Sequence, residues 1–373
     1  MDSFKLLDIF LFIGLSQGLF LALALQTVTN KNKSANKVLS TLLFLAAFIL
    51  FGRIIYARFN NQLLYQIAYL ADVVIFLFGP FIYLYIRRLA FNESKKYRLP
   101  LYHYIPAILF LIFISWYFTY TPKEFKLMLK RNHIHILFDY YIIQVLSIIS
   151  IFYYLFKCFK LIKLYQKQEK DNLSYNQNVL SFLHTFLTVT LIIVVLWLIG
   201  LFNKSLSINL SFINYNMIWV SIPILIYLVG YYSLKQPEIF RIKLKTEKKK
   251  IRKRLDDSTL IQLQEKLNQL MQNEEIYLDS ELTLKGLAIK LNTSSNNLSW
   301  LLNSVYKCTF YEFINRSRIK TFISKIENGE HKEYTVLALS MESGFSSKST
   351  FNRAFKAEMN DTPTNYIKKL IEN

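Results

Sequence analysis

Two stretches near the C-terminal end of this chain carry hydrogen-bonding side chains at helical spacing. Asn296, Asn297, Ser299, Trp300 and Asn303 fall in one; Lys348, Ser349, Asn352, Arg353 and Lys356 fall in the other. Amides, hydroxyls and cations on an exposed helix face can read base edges in the major groove of DNA, where each base pair shows its own pattern of donors and acceptors. Between the two lie Arg316, Arg318 and Lys320, which have the charge to meet phosphate. A further group differs in kind: Arg53, Asp72 and Asp139, with Gln144 near the same level, stand inside otherwise apolar runs. Ionisable groups in such places mark ligand or ion sites. The plainer alternative is an Arg–Asp pair that only locks helices together. His133 and His135 make no metal set by themselves, and no phosphate loop or nucleophile motif occurs, so no metal, cofactor or enzyme activity is expected. Cys158 and Cys308 fall in different halves and imply no disulfide framework.

The elements that would position the polar faces repeat at a spacing of about 52 residues, in 284–306 and 336–359. In each copy a short helix should end at a residue tolerant of left-handed backbone, Asn292 or Gly344. A Ser or Thr then caps a second amphipathic helix. Leu298, Leu301, Leu302 and Val305 give that helix its apolar face in the first copy; Phe351, Ala354 and Phe355 do so in the second. These are the parts of a helix-turn-helix. Between the copies, 310–328 places Phe310, Phe313, Ile314, Phe322, Ile323 and Ile326 on one face. A helix of that length, roughly 27 Å, could hold two reading heads about one DNA turn apart. Upstream, Leu260, Leu263, Leu267 and Leu270 predict a helix over 258–273 that packs on this domain or serves dimerisation or signal transfer.

The first 234 residues have another solvent. Seven apolar stretches, at about 8–28, 38–57, 64–86, 101–121, 136–156, 180–202 and 213–234, approach the roughly 20 residues needed to cross a bilayer. With the N-terminus outside, the inner loops hold 13 Lys and Arg and the outer segments 7, which favours that orientation and a cytoplasmic C-terminus. The chain is 53% hydrophobic yet carries a net charge of +20. Much of that charge sits in 235–254, with ten basic and two acidic residues, where it can lie on an anionic inner leaflet. By contrast, 255–373 holds 14 Lys and Arg against 15 Asp and Glu, so DNA affinity there must come from charge placement.

Residues from about 270 to 373 resemble the DNA-binding domain of the AraC/XylS family. The stretch GFSSKSTFNRAFKAEMNDTPTNY, 344–366, looks like that family's C-terminal signature, with Thr362, Pro363 and Tyr366; LSWLLN, 298–303, and FYEFINRSRI, 310–319, match as well. Asn360 stands where the family often has Gly, and Trp300 where a long polar reader is common. The resemblance implies two reading helices in successive major grooves, usually with dimers on repeated sites. The apolar half is similar in topology to membrane-bound regulators of the family.

The chain is therefore expected to be all-α: a polytopic helical membrane domain over 1–234, a basic juxtamembrane linker over 235–258, and a soluble all-α domain with two helix-turn-helix units over 259–373. The expected function is that of a membrane-bound one-component transcription regulator. Its partners would be double-stranded DNA, the lipid bilayer, a small ligand or membrane signal, and a second copy in a homodimer. A membrane transporter or interaction protein carrying a regulatory helix-turn-helix domain is the alternative. Directed substrate flux in vesicles would favour the transporter; salt-dependent binding to one promoter would favour the regulator.

Overall fold

The computed structural model describes residues 6–27, 32–58, 70–91, 97–121, 134–175, 178–206, 216–235 and 256–372, with a few isolated positions between them. The basic stretch 236–255 and His133 lie outside the described residues, as does the side chain of Asp139. Among the described residues the protein is all-α, with an isolated antiparallel bridge between Leu173 and Thr283. The chain divides into two compact units: Met1–Lys163 with Asn178–Lys243, and Leu164–Gln177 with Leu244–Asn373.

In the first unit the helices are α1 (Leu6–Thr27), α2 (Lys33–Arg58), α3 (Ile75–Ala90, entered by a 3-10 turn at Ala71–Val74), α4 (Ile105–Tyr117), α5 (Ile134–Asn172), α6 (Asn178–Leu206) and α7 (Asn216–Lys235). Five of these segments are long and apolar enough to cross a membrane; Leu101–Trp116 and Ile218–Tyr232 are apolar but shorter. Small residues let the helices approach. Gly14 lies against Pro223, Gly18 against Ile226 and Gly230 against Leu21, so α1 and α7 pack closely where any Cβ would crowd a neighbour. Ser40 Oγ, on α2, donates to Ala22 O at 2.7 Å and accepts from Gln26 Nε2 at 3.0 Å, a polar clasp within an apolar hairpin.

The second unit contains α8 (Asp257–Gln272), α9 (Leu284–Lys290), α10 (Ser295–Ser304), α11 (Phe310–Glu327), α12 (Val336–Glu342), α13 (Lys348–Met359) and α14 (Pro363–Glu372). Side-chain caps start them. Asp256, Thr283, Ser294, Thr309, Thr335 and Ser347 each accept a backbone N–H from the first turn, and Thr309 with Glu312 closes a full capping box. Asn292, Gly344 and Asn360 have positive φ, as the turns require. Two cores form. Leu263, Leu267, Leu287, Leu298, Leu301 and Leu302 fill the first; Leu339, Phe345, Phe351 and Phe355 fill the second. Helix α11 belongs to both, giving Phe310 and Ile314 to one and Ile319, Phe322 and Ile326 to the other. The leucine seam of α8 closes the first core.

Candidate nucleic-acid interface

Helix α13 shows most clearly what the second unit can do. Thr350, Phe351, Ala354 and Phe355 are buried. The rings of Phe351 and Phe355 meet Phe322 of the strut, α11, tilted at 4.7 Å and edge-on at 5.8 Å, and Phe355 meets Tyr366 at 5.6 Å. That packing fixes the helix about its axis. Lys348, Ser349, Asn352, Arg353 and Lys356 are left on the opposite, exposed face. The corresponding helix of the first copy, α10, is oriented the same way by Leu298, Leu301 and Leu302, all buried.

The face of α10 is the weaker of the two. Asn296 and Asn303 are exposed, and Asn297 and Ser299 half-buried. Asn303 Nδ2 already donates to Ser299 O at 2.7 Å, one turn back, and Asn297 N–H is used by the Ser294 cap. Trp300 packs against the first core, and its Nε1 is shut away from solvent without an acceptor. That indole offers no donor to a groove. None of these side chains carries charge, whereas α13 presents Lys348, Arg353 and Lys356.

Two cations on α11 have different surroundings. Arg316 is half-exposed but its Nε reaches Glu358 Oε1 at 3.0 Å, joining the strut to α13. Exposed pairs of this kind contribute about 0–1 kcal/mol. Glu358→Gln should release Arg316 toward phosphate, strengthen duplex binding about two- to fivefold at low salt, and steepen the salt dependence by roughly one ion. Unchanged binding in a salt titration would place Arg316 off the DNA. Arg318, expected among the phosphate contacts, is fully buried instead. Its guanidinium sits over the Phe345 ring at 5.7 Å and donates to main-chain carbonyls. Burial lowers its pKa to about 10, so it stays charged at neutral pH. Arg318 alternates with exposed cations in a basic run, and only the contacts that bury it distinguish it.

In the first unit, the structure brings Arg53 and Asp72 within electrostatic reach of each other. The Arg53 guanidinium also lies over Trp219, 5.3 Å from the ring centre. Gln144 is buried and accepts from Trp197 Nε1 at 2.8 Å, which joins α5 to α6. Among the described residues no cluster of His, Cys, Asp or Glu could hold a metal ion.

Two capped helix pairs with left-handed turns, set on one strut, define a helix-turn-helix domain. Comparison with known proteins agrees: residues 287–369 match the family model described as a helix-turn-helix domain. A curated relative, the probable transcription factor PqrA of Proteus vulgaris, is 29% identical over 85 residues, which are 21% of this chain and 67% of that protein. No solved structure matches the chain.

Proposed function

We propose that the protein is a one-component transcription regulator held in the cytoplasmic membrane. The first unit crosses the bilayer as seven helices with the N-terminus outside, and the second binds a promoter from the cytoplasmic side. The observation that carries this reading is the presence, in one chain, of apolar helices long enough to span and of a double helix-turn-helix with a basic exposed face on α13. The match to a probable transcription factor supports it from outside the chain. Arg53 and Asp72 are the polar groups at which a ligand or membrane signal would act, since ionisable side chains amid apolar helices are costly to keep without a use. Asp139 could join them. The basic stretch 235–254 would lie on the inner leaflet between the two functions. A homodimer would read repeated sites.

Genome-wide DNA occupancy of the tagged full chain, with a cytoplasm-dependent reporter fused after Asn373, tests this directly. We expect an active reporter and enrichment at a small set of promoters sharing one motif. An external C-terminus, or occupancy without sequence preference, overturns the reading.

A further inference from the structure

Helix α5 is far longer than a bilayer requires. Its 39 residues extend roughly 58 Å, against a hydrocarbon core of about 30 Å. The helix runs unbroken past Lys163, and from Leu164 onward its residues belong to the second compact unit. There Leu173 forms the antiparallel bridge with Thr283, the cap of the first helix of the first helix-turn-helix. Ser174 follows, fully buried, and its Oγ donates to Leu282 O at 2.8 Å.

Ser174 meets the centre of the strut. Its carbonyl accepts from Asn315 Nδ2 at 2.9 Å and from Arg318 Nη1 at 3.2 Å, and its hydroxyl accepts from Arg318 Nη2 at 3.1 Å. The remaining Arg318 donors go to Tyr277 O and Asp279 O, each at 2.6 Å, and to Asn315 Oδ1 at 3.2 Å. All five guanidinium N–H groups are thereby used, on neutral oxygens, and two of the five depend on Ser174. Phe345 beneath the guanidinium belongs to the turn of the second helix-turn-helix. One buried cation therefore joins the segment after α5, the loop before the first reading unit, and the turn of the second.

We propose that Leu164–Gln177 is the input element of the DNA-binding unit. Docking of Ser174 on Arg318 holds the two reading helices in their DNA-competent spacing, and α5 delivers to that dock the state of the apolar helices. This rests on the regulator reading above. Withdrawal of Ser174 leaves two donors of a buried cation without acceptors, so the junction between the reading units must rearrange. Because binding free energies couple reciprocally, DNA must in turn tighten the dock.

The test uses the full chain in nanodiscs of mixed zwitterionic and anionic phospholipid, with duplexes the wild-type chain selects from a random pool. Ser174→Trp has no room at a fully buried site and should expel the segment. We expect it to weaken binding about tenfold or more, while amides of 298–302 and 351–355 keep their exchange protection. In the wild-type chain, selected DNA should slow amide exchange over 164–174 and back along α5 through 150–163. A flexible Gly-Ser insertion after Lys163 should leave affinity within about twofold and confine the slowing to 164–174. Wild-type affinity in a folded Ser174→Trp chain overturns the proposal, as does DNA that leaves exchange over 164–174 unchanged. The exchange arm decides the matter even if Ser174→Trp loses its cores. A wild-type chain that selects no sequence overturns the DNA-binding reading itself, a distinct result.

Discussion

Gly344→Ala should cost about 2–5 kcal/mol of second-unit stability, and Gly329→Ala much less. Both glycines have positive φ, +92° and +83°, so alanine strains the backbone at either by about 1–2 kcal/mol. Their surroundings differ. A Cβ on Gly344 would sit 2.7 Å from Tyr277 O and 2.8 Å from Leu278 Cα, and both are backbone atoms that no rotamer change can move. A Cβ on Gly329 meets nothing within 4 Å. Overpacking against a fixed neighbour adds about 1–3 kcal/mol. The neighbour matters as well: Tyr277 O is also the acceptor for Arg318 Nε, so displacing it disturbs the guanidinium cradle. Urea-dependent proteolysis of the two variants, read by cleavage within the second unit, separates strain from crowding. Equal losses at the two glycines would mean that the Tyr277–Leu278 backbone yields.

The same glycine shows what could be read from the chain alone. Left-handed turns at Asn292 and Gly344, Ser and Thr caps, and the leucine seam of 260–270 are local features: each depends on residues within a turn or two, and periodicity exposes them. The basic face of α13 was legible for the same reason, because Phe351 and Phe355 fix what lies opposite. Long-range contacts left no such trace. Ser174 lies 144 residues from Arg318, and nothing near either announces the other. Arg318 instead looked like its neighbours Arg316 and Lys320, since a basic run does not say which member turns inward. Trp300 is half legible: its place on the reading helix is periodic, but its ring turns toward the first core. In the apolar half the hydropathy marks the helices, while the bond between Gln144 and Trp197 depends on how α5 and α6 are rotated, which apolarity all round does not encode.

Arg353→Ala and Lys356→Ala should fail in different ways on the same duplex. Both residues are exposed on α13, one turn apart, on the face opposite Phe351 and Phe355. Arg353 presents a planar fork that can meet guanine O6 and N7 together; a lysine cannot copy it. Lys356 presents a point charge suited to phosphate, which carries no sequence information. Loss of Arg353 should therefore cost about 1–3 kcal/mol on the selected site and relax the preference at one base pair. Loss of Lys356 should weaken all sequences alike and flatten the salt slope by roughly one unit. The two Phe anchors make the contrast interpretable, because truncating either exposed side chain leaves the helix seated on Phe322 and Tyr366. Full chain in nanodiscs, titrated with the selected duplex and a panel of single-base variants at several salt concentrations, gives both readouts. If removal of Arg353 instead lowers affinity for every duplex equally while the salt slope falls, its guanidinium rests on phosphate, and base reading by α13 passes to Lys348, Ser349 and Asn352 at the start of the helix.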